Sequence, residues 1–242
     1  QTQSEFARED GRTDRTAAYL EQAADVASTL LEDAPLALRR LERAIQFEVT
    51  EKRCDRVAEL AIQIGQPLVA IRYLQTLLGI VVGRARVPYL TRLADAHLAV
   101  GGEQEAIAAL EETLALAPET GAARNRLITL CRARGDAARL APVLFEGVNY
   151  ATDDAERVAL LRESAELYTS KLEEPSRAAE LLERATELAP DDRSLAMMYA
   201  DALGQSGNRE GALEILSQLA GTFGTRRPKE RATVHYYLAR LH

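Results

Sequence analysis

A chain of 242 residues, 47% hydrophobic, 28% charged and only 5% aromatic, has the composition of a globular protein of one or two domains. Its net charge of −7 offers no basic face for nucleic acid, and no run approaches the ~20 apolar residues of a membrane-spanning helix. The two cysteines read as reduced, buried thiols, so a cytoplasmic setting is expected.

Apolar residues recur at i, i+3, i+4 and i+7 along a chain rich in Ala, Leu, Glu and Arg, and no stretch alternates with period two for long. The fold class is therefore all-α. Residues 1–12, with "SEFARE" at Ser4–Glu9, read as the tail of a preceding repeat, and residues 13–220 as six helical hairpins. The first helix of each hairpin, helix A, carries a small residue in most units: Ala24, Ala58, Ala94, Ala165 and Ala200. A turn glycine follows in four units, at Gly65, Gly101, Gly135 and Gly207. Units one and five use "LEDAP" (Leu31–Pro35) and "LEEP" (Leu172–Pro175) instead, which implies a slightly longer turn. Helix B then opens with Ala37, Ala70, Ala106, Leu140, Ala178 and Ala212, spaced by 33, 36, 34, 38 and 34 residues. Four positions later stand Leu41, Leu74, Leu110, Leu144, Leu182 and Leu216. Pro118 and Pro190 close two units, and Asp191 and Asp192 suit the positive end of the next helix. Residues 221–242 hold the loop "GTFGTRRP" and a last helix, Lys229–Leu241, read as a cap or half of a seventh hairpin. The whole reads as part of a longer array.

The repetition has a packing cause. Antiparallel helices ~8–10 Å apart need small residues where they cross, and a Leu one turn later fills the seam with the next unit. Glycine before helix B supplies a tight turn with positive φ that a side chain would resist. On these residues each unit resembles the tetratricopeptide repeat. The resemblance implies a right-handed α-solenoid and a partner-binding groove lined by the A helices. The usual Trp position is taken by Leu20, Cys54, Leu90 and Leu161, and unit four is the most divergent, with Leu140 for Ala and Arg124 where an apolar residue is usual.

Groove positions carried over from the family are Glu21, Asp25, Lys52, Asp55, Glu59, Thr91 and Asp95 in the first three units. In the later units they are Asn125, Thr129, Arg132, Arg162, Glu166, Met197 and Asp201. Asp55 and Glu59 beside Lys52 do not reproduce the Lys/Asn/Arg clamp of the family's chaperone-tail binders. Five acids against Lys52 give the first three units a local balance of −4, which points to a basic or N-terminal-amine segment of a partner.

No chemistry competes with this reading. His97 sits where the family often has Tyr and is expected to be packed; His235 and His242 lack metal-site spacing. "GQSGNREG" at Gly204–Gly211 lacks the Lys-Ser/Thr ending of a phosphate loop and falls on a predicted turn. Adjacent carboxylates such as Glu111–Glu112 and Glu173–Glu174 point apart on a helix. The basic cluster "RRPKER" at Arg226–Arg231 reads as a solvated helix start. No catalytic residue, cofactor or metal is expected. The function expected is a non-catalytic interaction scaffold that binds a protein or peptide, the alternative being a regulatory or sensor segment of a larger kinase or NTPase. Pairing of copies through the array ends is a further expectation.

Overall fold

The computed structural model describes residues 2–222, 232, 234 and 236–239, with side chains from residue 15 onward. Its helices are α1 (Thr2–Thr29), α2 (Ala34–Phe47), α3 (Glu51–Gln63), α4 (Pro67–Ile80), α5 (Val87–Ala99), α6 (Glu103–Leu116), α7 (Gly121–Arg134), α8 (Ala137–Gly147), α9 (Asp154–Ser170), α10 (Pro175–Leu188), α11 (Arg193–Gln205) and α12 (Arg209–Thr222). Among the described residues there is no strand, so the all-α expectation holds. The odd-numbered helices are the A helices and the even-numbered ones the B helices. Residues 2–12, read as the tail of a preceding repeat, continue into α1 as one helix without a turn.

Each residue chosen to align the repeats, from Ala37 to Ala212, stands three positions after the first residue of its helix B. All six are buried, as are the six leucines one turn later and the five helix-A alanines. The uneven spacing has local causes. Between α4 and α5 the linker is lengthened by a 3-10 turn, Gly83–Arg86. In unit five α9 is 17 residues long where α11 has 13, and the turn that follows it is also longer.

The turns between A and B helices follow one hydrogen-bond scheme. In the glycine turns the N-cap N–H reaches back five residues: Gln66 to the Ala61 carbonyl, Gly102 to His97, Asp136 to Cys131 and Asn208 to Leu203, at 2.8–2.9 Å. In units one and five it reaches back six, Asp33 to Ala27 and Glu174 to Tyr168, both at 2.9 Å. The turn is thus one residue longer, as expected. The residue before the N-cap is left-handed in every case: Gly65, Gly101, Gly135 and Gly207, but also Glu32 (φ 52°) and Glu173 (φ 56°).

Side-chain caps start several helices. Asp33 accepts from the Leu36 N–H (2.8 Å) and Asp136 from Arg139 (3.2 Å). Asp153 accepts from the Glu156 N–H (2.8 Å), and the Glu156 carboxylate reaches back to the N–H of Thr152 (2.7 Å), one residue before the cap. Asp192 accepts from both Ser194 and Leu195. Asp192 thus fills the role expected at the start of α11.

The chain divides into two compact units, Gln1–Ala123 and Arg124–His242. Within each unit the extensive helix contacts join helices consecutive in the chain. In the second unit Leu161, Ala165 and Tyr168 of α9 pack with Ala178, Leu181, Leu182 and Ala185 of α10 and with Leu195 of α11. Arg124, the unusual residue of unit four, is also buried. Its guanidinium lies 4.3 Å from the Tyr150 ring centroid. A Cβ added at Gly147 would come within 3.2 Å of the Arg124 Cδ, so a glycine there leaves room for the long side chain. Of the last helix expected over Lys229–Leu241, the described residues are helical, and Val234 is buried with Ala200, Leu216 and Leu219. "RRPKER", His235 and His242 lie outside the described residues.

Candidate partner-binding face

The A helices set the site because opposite charges on them stand about one repeat apart. In the first unit, Glu21 of α1 accepts from Arg53 Nε (3.3 Å) and Arg56 Nη1 (2.9 Å) of α3, with Lys52 Nζ at 3.6 Å. Asp25 pairs with Arg56. One repeat on, Arg92 of α5 donates to Asp55 Oδ1 at 2.5 Å, and Tyr89 donates to Glu51 at 3.0 Å. Arg92 also lies 5.9 Å from the Tyr89 ring centroid.

Arg53 is the most enclosed member, its side chain 10% exposed against 17% for Glu21. It donates as well to the Glu48 carboxylate and carbonyl. Its hydrogen bond to Glu48, with Glu21 adding to the effect, raises its pKa against the pull of burial. For Arg56 burial is the largest influence and acts downward, but Asp25 and Glu21 outweigh it and the guanidinium ends raised. Burial raises the Tyr89 hydroxyl, and its hydrogen bond to Glu51 raises it further.

The second unit repeats the device. Arg132 of α7 grips Glu163 of α9 with two parallel bonds, 2.7 Å from Nε and 2.5 Å from Nη2, and this contact raises the Arg132 pKa. Arg162 of α9 pairs with Asp192, the cap of α11. Within each unit, then, neighbouring A helices are tied by opposite charges: α1 to α3 and α3 to α5 in the first, α7 to α9 and α9 to the start of α11 in the second.

These pairs change what the sequence-derived positions can offer. A count of five acids against Lys52 left out Arg53, Arg56 and Arg92, which neutralise Glu21, Asp25 and Asp55. Glu59 is exposed and has no ion pair among the described residues. With Arg56, Ser28, Gln63 and Leu60 it lines a cleft of about 180 Å³ whose other walls are Ala24, Ala37 and Leu41. The remaining positions are scattered by role. Thr91 and Thr129 spend their hydroxyls on the helix carbonyls of Val87 and Asn125 (3.0 and 2.8 Å). Asp95, Asn125 and Glu166 are exposed, Met197 is half-buried beside Ala200 and Leu216, and Asp201 accepts from Gln205 at 2.7 Å. The partners Arg53, Arg56, Arg92, Glu163 and Asp192 escaped the sequence reading. Their signal was opposite charge 30–37 residues apart, close to the repeat period.

Among the described residues, no three metal-ligating side chains stand together and no helix is long and apolar enough to cross a membrane. Cys54 and Cys131 are buried and in no disulfide, and burial raises the Cys54 pKa. Gly207, within "GQSGNREG", holds φ 92° in the turn before α12, where the sequence placed it.

A tetratricopeptide repeat family model matches residues 57–221, more than half of the chain. The chain belongs to the tetratricopeptide repeat family. No curated protein matches it. Among solved structures it is similar to MamA, at 16% identity and TM-score 0.44 over 71% of this chain and 96% of that one. A tetratricopeptide repeat protein from Parabacteroides merdae matches at 12% identity and TM-score 0.47 over 94% of this chain and 86% of the other. YrrB, described as a tetratricopeptide repeat protein with an unusual peptide-binding site, matches at 15% identity and TM-score 0.44, over 78% and 90% of the two chains. In this family member the repeat supplies the spacing, and the ion pairs along its A helices are written on top of that spacing.

Proposed function

We propose that this tetratricopeptide repeat chain is a non-catalytic scaffold that binds a segment of a partner protein along the A helices. The observation that carries the reading is the cleft between α1, α2 and α3. There an apolar floor of Ala24, Ala37, Leu41 and Leu60 lies beside Glu59, which the ion-pair ladder leaves unneutralised. A floor of that kind with one carboxylate suits a long basic side chain, which lays its methylenes on the apolar surface and its charge against the acid. A basic or N-terminal-amine segment is therefore the partner chemistry, with Glu59 as its anchor. Lys52, Thr91, Asp95, Asn125, Thr129, Glu166, Met197 and Asp201 extend the face, while the paired Glu21, Asp25, Asp55, Arg132 and Arg162 hold it in shape.

The test is to capture the partner on the immobilised chain and then measure its affinity for Glu59→Lys at two salt concentrations. Affinity should fall about tenfold, and its salt dependence should weaken, because one exposed charge pair is lost and replaced by repulsion. An unchanged affinity in a variant with unchanged thermal stability would place the interface off this face.

A further inference from the structure

A second cleft, of about 450 Å³, opens in the second unit where the 3-10 turn Val148–Tyr150 after α8, the first half of α9 and the end of α10 meet. It lies at the opposite end of the hairpin from the A-to-B turn, and none of its lining residues belongs to the helix-A set. Leu161 is fully buried at its base, Val148 is nearly so, and Leu188 is more than a third exposed. Together they give an apolar wall.

The polar lining is lopsided. Arg157 is fixed by Asp154 (2.6 Å) and by the Ala151 carbonyl (3.4 Å). Arg184 has no carboxylate within ion-pair reach among the described residues; its guanidinium rests 5.2 Å from the Phe145 ring centroid. Stacking occupies one face of that planar group and leaves its N–H edge, the side that takes a carboxylate through two bonds. Asn149 adds an exposed amide. With Arg157 answered by Asp154, Arg184 is the lining guanidinium left without a carboxylate, beside the Asn149 amide and one lining acid, Glu187. Glu187 remains free to accept an N–H from the backbone of an occupant.

We infer that this cleft is a second binding site, for an acidic peptide segment that sets a carboxylate on Arg184 and a bulky apolar side chain on Val148, Leu161 and Leu188. Its volume falls in the range of sites that enclose a small ligand or a few side chains. The site is independent of the helix-A face and asks for the opposite charge. A scaffold with both could hold two partners at once.

The test titrates the full chain into a fluorescein-labelled, C-amidated peptide, Leu-Glu-Glu-Phe, and follows anisotropy. Saturable binding is expected, weakened about tenfold by Arg184→Gln and equally by a peptide with Gln in place of Glu. The two losses should not add in a double-mutant cycle, because they remove the same contact. Leu188→Asp should weaken binding through the apolar wall with Arg184 intact, so the inference stays testable if Arg184→Gln unfolds the chain. Glu59→Lys should leave binding unchanged, which separates this site from the helix-A face. Absence of saturable binding, or binding indifferent to both Arg184→Gln and Leu188→Asp, would overturn the inference. Loss of binding on Glu59→Lys alone would move the peptide to the other face and overturn it as well.

Discussion

Glu32 and Glu173 sit where the other four A-to-B turns use glycine, and both hold positive φ, 52° and 56°. A side chain in that region costs ~1–2 kcal/mol, while a glycine gives back ~0.5–1 kcal/mol through its looser unfolded chain. Glu32→Gly and Glu173→Gly should therefore each raise stability by about 0.5 kcal/mol in urea unfolding. Gly65→Ala, with open space around the added Cβ but φ fixed at 70°, should lower it by about 1 kcal/mol. Asp136 gives a second test at this scale. Its hydrogen bond from Arg139 lowers its pKa against the opposing effect of burial. A depressed carboxyl stabilises the fold above its unfolded pKa, about 3.9, and that contribution fades as pH falls through the lower folded value. Asp136→Asn keeps a cap but not the charge, so it should reduce stability at pH 7 and lose that effect at pH 2. A difference that persists unchanged at pH 2 would show that the charge is not what Asp136 contributes.

Between helices, the small residues decide how closely the axes approach. Ala178 and Ala212 have no exposed surface, and Leu at either should overpack the crossing and destabilise by ~1–3 kcal/mol, read as a fall in the thermal midpoint. These positions were legible because burial leaves a mark along the repeat: the same small residue, at nearly the same spacing, in five of the six units. The ion pairs were not legible in that way, although Glu21 and Arg53 lie only 32 residues apart. Charges are scattered over every solvated helix face, and only the packed geometry tells that Lys52, Arg53 and Arg56 all converge on Glu21. Removing the charge of Glu21 leaves Arg53, 10% exposed, with Glu48 alone. Breaking a buried pair from one side costs ~3–5 kcal/mol, and the remaining carboxylate offsets part of it, so Glu21→Gln should cost about 1–2 kcal/mol. Reversing an exposed pair such as Arg72 with Glu42 should change stability by less than about 1 kcal/mol. Chemical denaturation of both variants at one salt concentration would compare them, and equal losses would deny Arg53 its special place.

At the scale of the molecule, each compact unit is a run of hairpins whose contacts stay between chain neighbours, and the function proposed above uses surfaces that recur along the run. The architecture could be read from the sequence because a repeat states its packing rule several times. The helix-A face could be placed but not weighed, since Asp55 and Glu59 look alike in sequence and only one of them is neutralised, by Arg92. The cleft at α8, α9 and α10 left no sequence signal at all. It depends on Arg184 turning onto Phe145, thirty-nine positions away, in the divergent stretch of unit four. The central claim is that a partner segment lies along the A helices. Hydrogen–deuterium exchange of the chain with and without its captured partner tests it most directly, because digestion peptides separate α1, α3 and α5 from α2, α4 and α6. Protection that recurs on the A helices, strongest over the part of α3 that holds Glu59, is the result predicted. Protection confined to the B helices, with α1, α3 and α5 exchanging as in the free chain, would contradict it.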